Sequence, residues 1–188
     1  MSLSLKEQFD VLIDRFEWLL HEPTMFLIDR ILYQDPTRNP YLMGNYAPVE
    51  EENEAYYIKA SDIVGRIPRD ISGVYLRNGP NPKFIPSNGR QHWFDGDSMI
   101  HAIRIKYGKL QYLNKYAMTD KLTEELKNNK PITIRTGEFN HGILSLYKAM
   151  LMKFYQAVGY HPKIDKFKEG PANTAFITHA NKTYALEE

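Results

Sequence analysis

Residues 99–117, MIHAIRIKYGKLQYLNKYA, hold two runs of β-branched and aromatic residues on either side of Tyr107-Gly108-Lys109. Met99, His101, Ile103 and Ile105 recur at every second position, the spacing that puts side chains on one face of a strand. The stretch therefore predicts two antiparallel strands, 99–106 and 110–117, joined by a tight turn. Val74 and Leu76 suit a further strand from Gly73, and the following NGPNP is a dense turn signal. FDGD at 94–97 reads as another turn. Residues 173–188, NTAFITHANKTYALEE, predict a second hairpin turning at Asn181-Lys182. Hairpins in series imply a mainly β fold with antiparallel strands, of the kind found in a propeller blade.

Helical segments interrupt this pattern. Ser4-Leu-Lys-Glu7 has capping-box spacing, and Leu5, Phe9, Leu12, Phe16, Leu19 and Leu20 follow at helical intervals. They predict a helix over 4–21, with Pro23 limiting its extension. Residues 39–71 are Pro-punctuated and read as irregular, with Glu50-Glu51-Glu52 as a solvated loop because adjacent carboxylates diverge. TDKLTEELKNN predicts a short capped helix. Between 143 and 158, Ile143, Leu144, Tyr147, Met150, Leu151, Phe154, Tyr155 and Val158 form a broad apolar face away from Lys148 and Lys153. Such a helix belongs either in a core, the default, or on a membrane surface.

Composition removes several functions. A net charge of +1 gives no global attraction for nucleic acid, and the absence of cysteine excludes disulfides, zinc-thiolate sites and iron–sulfur clusters. No run of 18 apolar residues is long enough to span a bilayer. The N-terminus has neither the apolar core of a secretory signal nor the composition of a transit peptide. These features predict a cytosolic protein, loosely membrane-attached at most. Histidines stand at 21, 92, 101, 141, 161 and 179 without a local metal-binding pair. Asp95 and Asp97 flank a glycine in a calcium-like way but lack further oxygen ligands, so turn formation is the better reading. No phosphate loop or nucleophile elbow occurs. The residues alone name no catalytic side chain and no metal ligand.

The wording of four stretches goes further. GVYLRNGPNP (73–82), HWFDGDSMIHA (92–102) and NTAFITHANKTYALEE (173–188), with NPYLMGNYAPV (39–49) before them, resemble the N-terminal portion of carotenoid cleavage oxygenases. That family includes carotenoid dioxygenases, apocarotenoid-forming and stilbene-cleaving enzymes, and a retinoid isomerohydrolase. The resemblance implies the first blade and part of the next of a seven-bladed β-propeller, mainly β with helical insertions. Residues 1–38 would be an N-terminal helical segment and 39–188 the start of the propeller domain. It implies one Fe(II) held by four histidines, O₂, and a carotenoid or apocarotenoid substrate cleaved to two carbonyl products. It also implies a greasy tunnel whose mouth meets a membrane, with the 143–158 helix as a contact.

The family's first iron ligand lies in a His-Pro motif after the ALxE strand. The sequence stops within that strand and reads as cut, so all four ligands are expected beyond residue 188. His161-Pro162 copies the motif but precedes the strand instead of following it. Glu188 matches a family glutamate that accepts the outer N–H of a ligand histidine. Ser98 stands where the family usually has glycine, which would strain the turn if positive φ were needed. Two other readings stay open: a non-catalytic membrane- or lipid-binding protein that keeps the first blade, and a structural β-domain without ligand.

Overall fold

The computed structural model describes Ser4, Gln8, Val11, Leu12, Arg15, residues 22–159 and residues 170–187. Gln8, Val11, Leu12 and Arg15 are helical, and the Gln8 N–H donates to the Ser4 carbonyl at 2.9 Å. The rest of the predicted 4–21 helix lies outside the described residues. Helix α1 follows as Glu22–Ile31.

Four strands form one antiparallel sheet: β1 (Asn53–Tyr57), β2 (Gly73–Asn81), β3 (Asp97–Lys106) and β4 (Lys109–Tyr116), in the order β1-β4-β3-β2. Tyr107 (φ 52°) and Gly108 (φ 74°) make the β3–β4 turn, with both central residues left-handed as the twist of a two-residue hairpin demands. The predicted hairpin is therefore present, with each strand shifted by one or two residues.

Two expectations are corrected. NGPN is not a turn: Asn78, Gly79, Pro80 and Asn81 continue β2, pairing with Ile100, Met99, Ser98 and Asp97. Proline is tolerated because β2 is an edge strand, where a missing N–H need not break the ladder. The segment 39–71 is not wholly irregular, since NEAYY forms β1 against β4, with a register shift between Asn53 and Tyr56. Its alternation is hidden because one face is not systematically buried: Glu54 to Tyr57 are all exposed.

The FDGD turn stands, and Gly96 explains it. Its φ is +152°, and a side chain there would meet the Asn81 backbone nitrogen at 2.7 Å. Ser98, by contrast, has no positive φ and lies inside β3. Its hydroxyl donates to Asn78 Oδ1 at 2.7 Å, so the departure from glycine adds a bond and no strain.

A second hairpin, β5 (Ala175–His179) and β6 (Lys182–Leu186), forms its own two-stranded sheet. Its turn is Ala180-Asn181, with φ of 47° and 60°, one residue earlier than predicted. Asn78 docks it to β2 by donating to the Ala172 carbonyl at 2.6 Å.

Helix α2 (Asp120–Asn128) is capped as its sequence predicts. Thr119 Oγ1 accepts the Leu122 N–H at 3.1 Å, and left-handed Asn129 (φ 50°) ends the helix. Leu122 packs with Met99 and Tyr116 in a small apolar core.

Helix α3 (Ile143–Ala157) overturns the core placement that its periodicity favours. Its buried residues are Ser145, Lys148 and Tyr155, while Ile143 is 86% and Met150 65% exposed. The polar side faces inward because carboxylates await Lys148 there, and no apolar surface of the described residues covers the other side.

Candidate functional site

Asp97, at the start of β3, and Lys121, in the first turn of α2, begin a buried chain of charge. Lys121 Nζ lies 2.8 Å from Asp97 Oδ1 and 2.9 Å from Glu125 Oε2, and Arg135 Nη2 is 3.6 Å from the same Glu125 oxygen. These side chains are at most 7% exposed. Desolvated charges survive only when paired, so the chain locks α2 and the 132–135 segment onto the sheet. Tyr116 sits beside it, and burial, with Asp97 nearby, pushes its phenol up to about 12.

This network borders a cavity of about 810 Å³ between the FDGD turn, α2 and the approach to β5. Asn173 holds two of these walls together by donating to the Phe94 carbonyl at 3.0 Å and the Gly96 carbonyl at 2.8 Å. Glu187, just after β6, also lines the cavity. Burial raises its carboxyl above the usual range, against the lowering effects of the Ala172 N–H and Lys121. The carboxylate lies so close to Gly170 that a side chain there would collide with it. Glu188 and His161 fall outside the described residues. The sequence pointed to Glu188 and passed over Glu187, Lys121, Arg135 and Asn173. Only the i,i+4 spacing of Lys121 and Glu125 offered a signal.

Asp95, Asp97 and His101 are otherwise engaged. Asp95 Oδ1 accepts the Thr136 N–H at 2.8 Å, while Oδ2 accepts the His92 and Gly137 N–H groups at 2.9 and 2.7 Å. Asp97 Oδ2 accepts the Lys83 N–H at 3.0 Å. Carboxylates surrounded by N–H donors tie loops together and leave no oxygen cage for calcium. His101 Nδ1 is 2.7 Å from the Tyr112 hydroxyl. Burial, then Arg77, lowers its pKa. Among the described residues no group of three or more His, Cys, Asp or Glu side chains is placed to hold a metal. These residues do not themselves fit an iron centre.

The remaining feature is the outer surface of α3. Lys148 Nζ reaches Asp29 Oδ1 of α1 at 2.6 Å and Glu138 Oε1 at 2.7 Å. Burial opposes its charge, yet the two carboxylates outweigh that cost and hold the ammonium above its ordinary value. Ser87 adds a short hydrogen bond to Asp29. This latch ties the two helices together, with Ile28 and Leu32 buried beside Asp29, and leaves Phe26, Leu27 and Ile31 of α1 and Ile143, Leu146 and Met150 of α3 exposed. No helix among the described residues is long and apolar enough to cross a membrane.

A family model described as retinal pigment epithelial membrane protein matches residues 46–188. Carotenoid 9,10(9',10')-cleavage dioxygenase 1 of Pisum sativum is 34% identical over 164 residues, covering 86% of this chain and 29% of that protein. The carotenoid cleavage oxygenase of Mycobacterium tuberculosis is 34% identical over 155 residues, 81% of this chain and 25% of its own length. A lignostilbene dioxygenase of Pseudomonas brassicacearum has a similar fold, with TM-score 0.60, 23% identity, and coverage of 80% of this chain and 27% of that one. Cobalt-substituted Synechocystis apocarotenoid oxygenase matches with TM-score 0.50 and 24% identity, covering 75% and 26%. The chain thus spans less than a third of the length of these relatives.

Proposed function

The chain belongs to the retinal pigment epithelial membrane protein family, the carotenoid cleavage oxygenases. From that membership we propose that it is the N-terminal part of an Fe(II)-dependent dioxygenase acting on a carotenoid or apocarotenoid. Dioxygen adds across one conjugated double bond, the carbon–carbon bond breaks, and each carbon leaves as a carbonyl. The continuous match from residue 46 to residue 188 carries this reading.

Residues 39–188 open the oxygenase domain, a seven-bladed propeller, and residues 1–38 precede it. Strands β1–β4 are its first blade and β5–β6 begin the next. The iron ligands are histidines beyond residue 188, which are neutral imidazoles suited to Fe(II). Glu188 accepts the outer N–H of one of them. What the described residues supply is scaffold and access. The buried charge network fixes α2 to the first blade, and the exposed apolar side of α3 gives a lipid-dissolved polyene a route from a membrane. The protein is cytoplasmic, with peripheral membrane contact through α3.

The test uses the full-length protein, loaded with Fe(II) and given a carotenoid or an apocarotenoid under isotopically labelled dioxygen. Two labelled carbonyl products are expected, with loss of turnover on chelation and recovery with Fe(II). Vesicle binding through α3 without any substrate consumption would instead establish the lipid-binding reading, which the exposed face of α3 also favours.

A further inference from the structure

Among the described residues, strand β1 ends the four-stranded sheet on the side away from β2. An edge strand presents unpaired main-chain N–H and C=O groups to whatever approaches. The charges along this edge are sorted. Glu50 and Glu51 lie before its start, beside Glu52 and Glu54, which the Tyr116 N–H and Lys115 already engage, while Lys59 follows its end and Lys109 sits 5.9 Å over the Tyr57 ring. Two copies set parallel would place like charges together. Set antiparallel, they place acid against base.

We propose that β1 is a self-complementary docking edge through which two copies of this protein pair antiparallel about a two-fold axis. Pairing centred on Ala55 puts Glu51 of one copy opposite Lys59 of the other, and symmetry makes the contact twice. Glu51 and Lys59 are exposed, and they enter none of the ion pairs among the described residues. Tyr56 and Tyr57, 49% and 61% exposed, gain cross-strand neighbours. A second copy fits better than an anionic membrane, which the glutamate end would repel. The dimer closes because each copy has a single β1, while the other edge carries Pro80 and resists extension. This pairing is independent of iron and of substrate cleavage, so it stands or falls apart from the proposed activity.

Sedimentation velocity of the full-length protein across a concentration series tests it. A dimer that weakens with added salt is expected. Lys59→Glu or Glu51→Lys alone should raise its dissociation constant about tenfold, since each reversal opposes two symmetric pairs. The double variant Glu51→Lys/Lys59→Glu restores the pairs and should return affinity to near the starting value. Circular dichroism of each variant separates lost pairing from lost folding. A protein that stays monomeric, or whose double variant fails to recover affinity, overturns the proposal. So does a monomer whose β1 amides are already protected from hydrogen exchange, because its own chain then covers the edge.

Discussion

Lys121 shows what a single side chain can hold together when two carboxylates depend on it. Lys121→Met strands Asp97 and Glu125, both fully buried, beside a neutral thioether. The expected loss is about 3–5 kcal/mol, read as a fall in urea midpoint of the full-length protein. His101 gives a pH signature instead. Burial, then Arg77, holds its folded pKa below the ordinary 6.5, so its neutral form is preferred in the fold. The associated stability is complete above that value and drains away as pH falls through the lowered one. His101→Gln does not pay this cost, so its melting-temperature deficit against the wild type should shrink between about pH 7 and about pH 5. An unchanged or growing deficit would place the titration elsewhere. If the proposed role of Glu188 holds, Glu188→Gln in the full-length protein should reduce iron retention or turnover by roughly 10- to 100-fold, the range for a residue that orients a metal ligand. Iron content and turnover equal to the parent's would remove Glu188 from that role.

Elements were readable in the sequence where one local signal sufficed. The β3–β4 hairpin follows from alternation about Tyr107-Gly108, and α2 from its Thr119 cap. Strand β1 leaves no signal because an exposed edge needs no alternation, and NGPN resembles a turn although its residues lie on an edge that tolerates them. The orientation of α3 depends on Asp29, 119 residues before Lys148, and periodicity has no access to so distant a partner. The site shared that limit: Asp95 and Gly96 were placed as a turn, but the partners from 121, 135 and 173 arrive only in space. For α3 itself, a peptide of residues 143–158 should become helical with lipid vesicles and co-sediment with them. Neither response would leave its apolar side to another protein surface.

At the scale of the whole molecule the exposed area is the telling quantity. The chain presents 13336 Å² of surface at a mass of 22.0 kDa. A compact monomer of that mass exposes about 9,300 Å². The excess lies partly in apolar residues such as Val74, Tyr75 and Leu76 on the two sides of β2. Residues 1–188 expressed alone are therefore expected to aggregate or remain partly molten, and to neither bind Fe(II) stoichiometrically nor cleave a carotenoid. A monomer that unfolds cooperatively and binds one Fe(II) tightly at neutral pH would contradict this.

The bond from Asn78 to the Ala172 carbonyl joins residues 94 positions apart. All four strands of the first sheet are synthesised before Ala172, the anchor for β5. For that interval β2 waits as an open edge in a crowded cell. Pro80 interrupts its row of donors, so a passing strand finds no continuous ladder to join. The proline that looks like a turn in the sequence thus makes this edge a poor template for another strand until the later hairpin arrives.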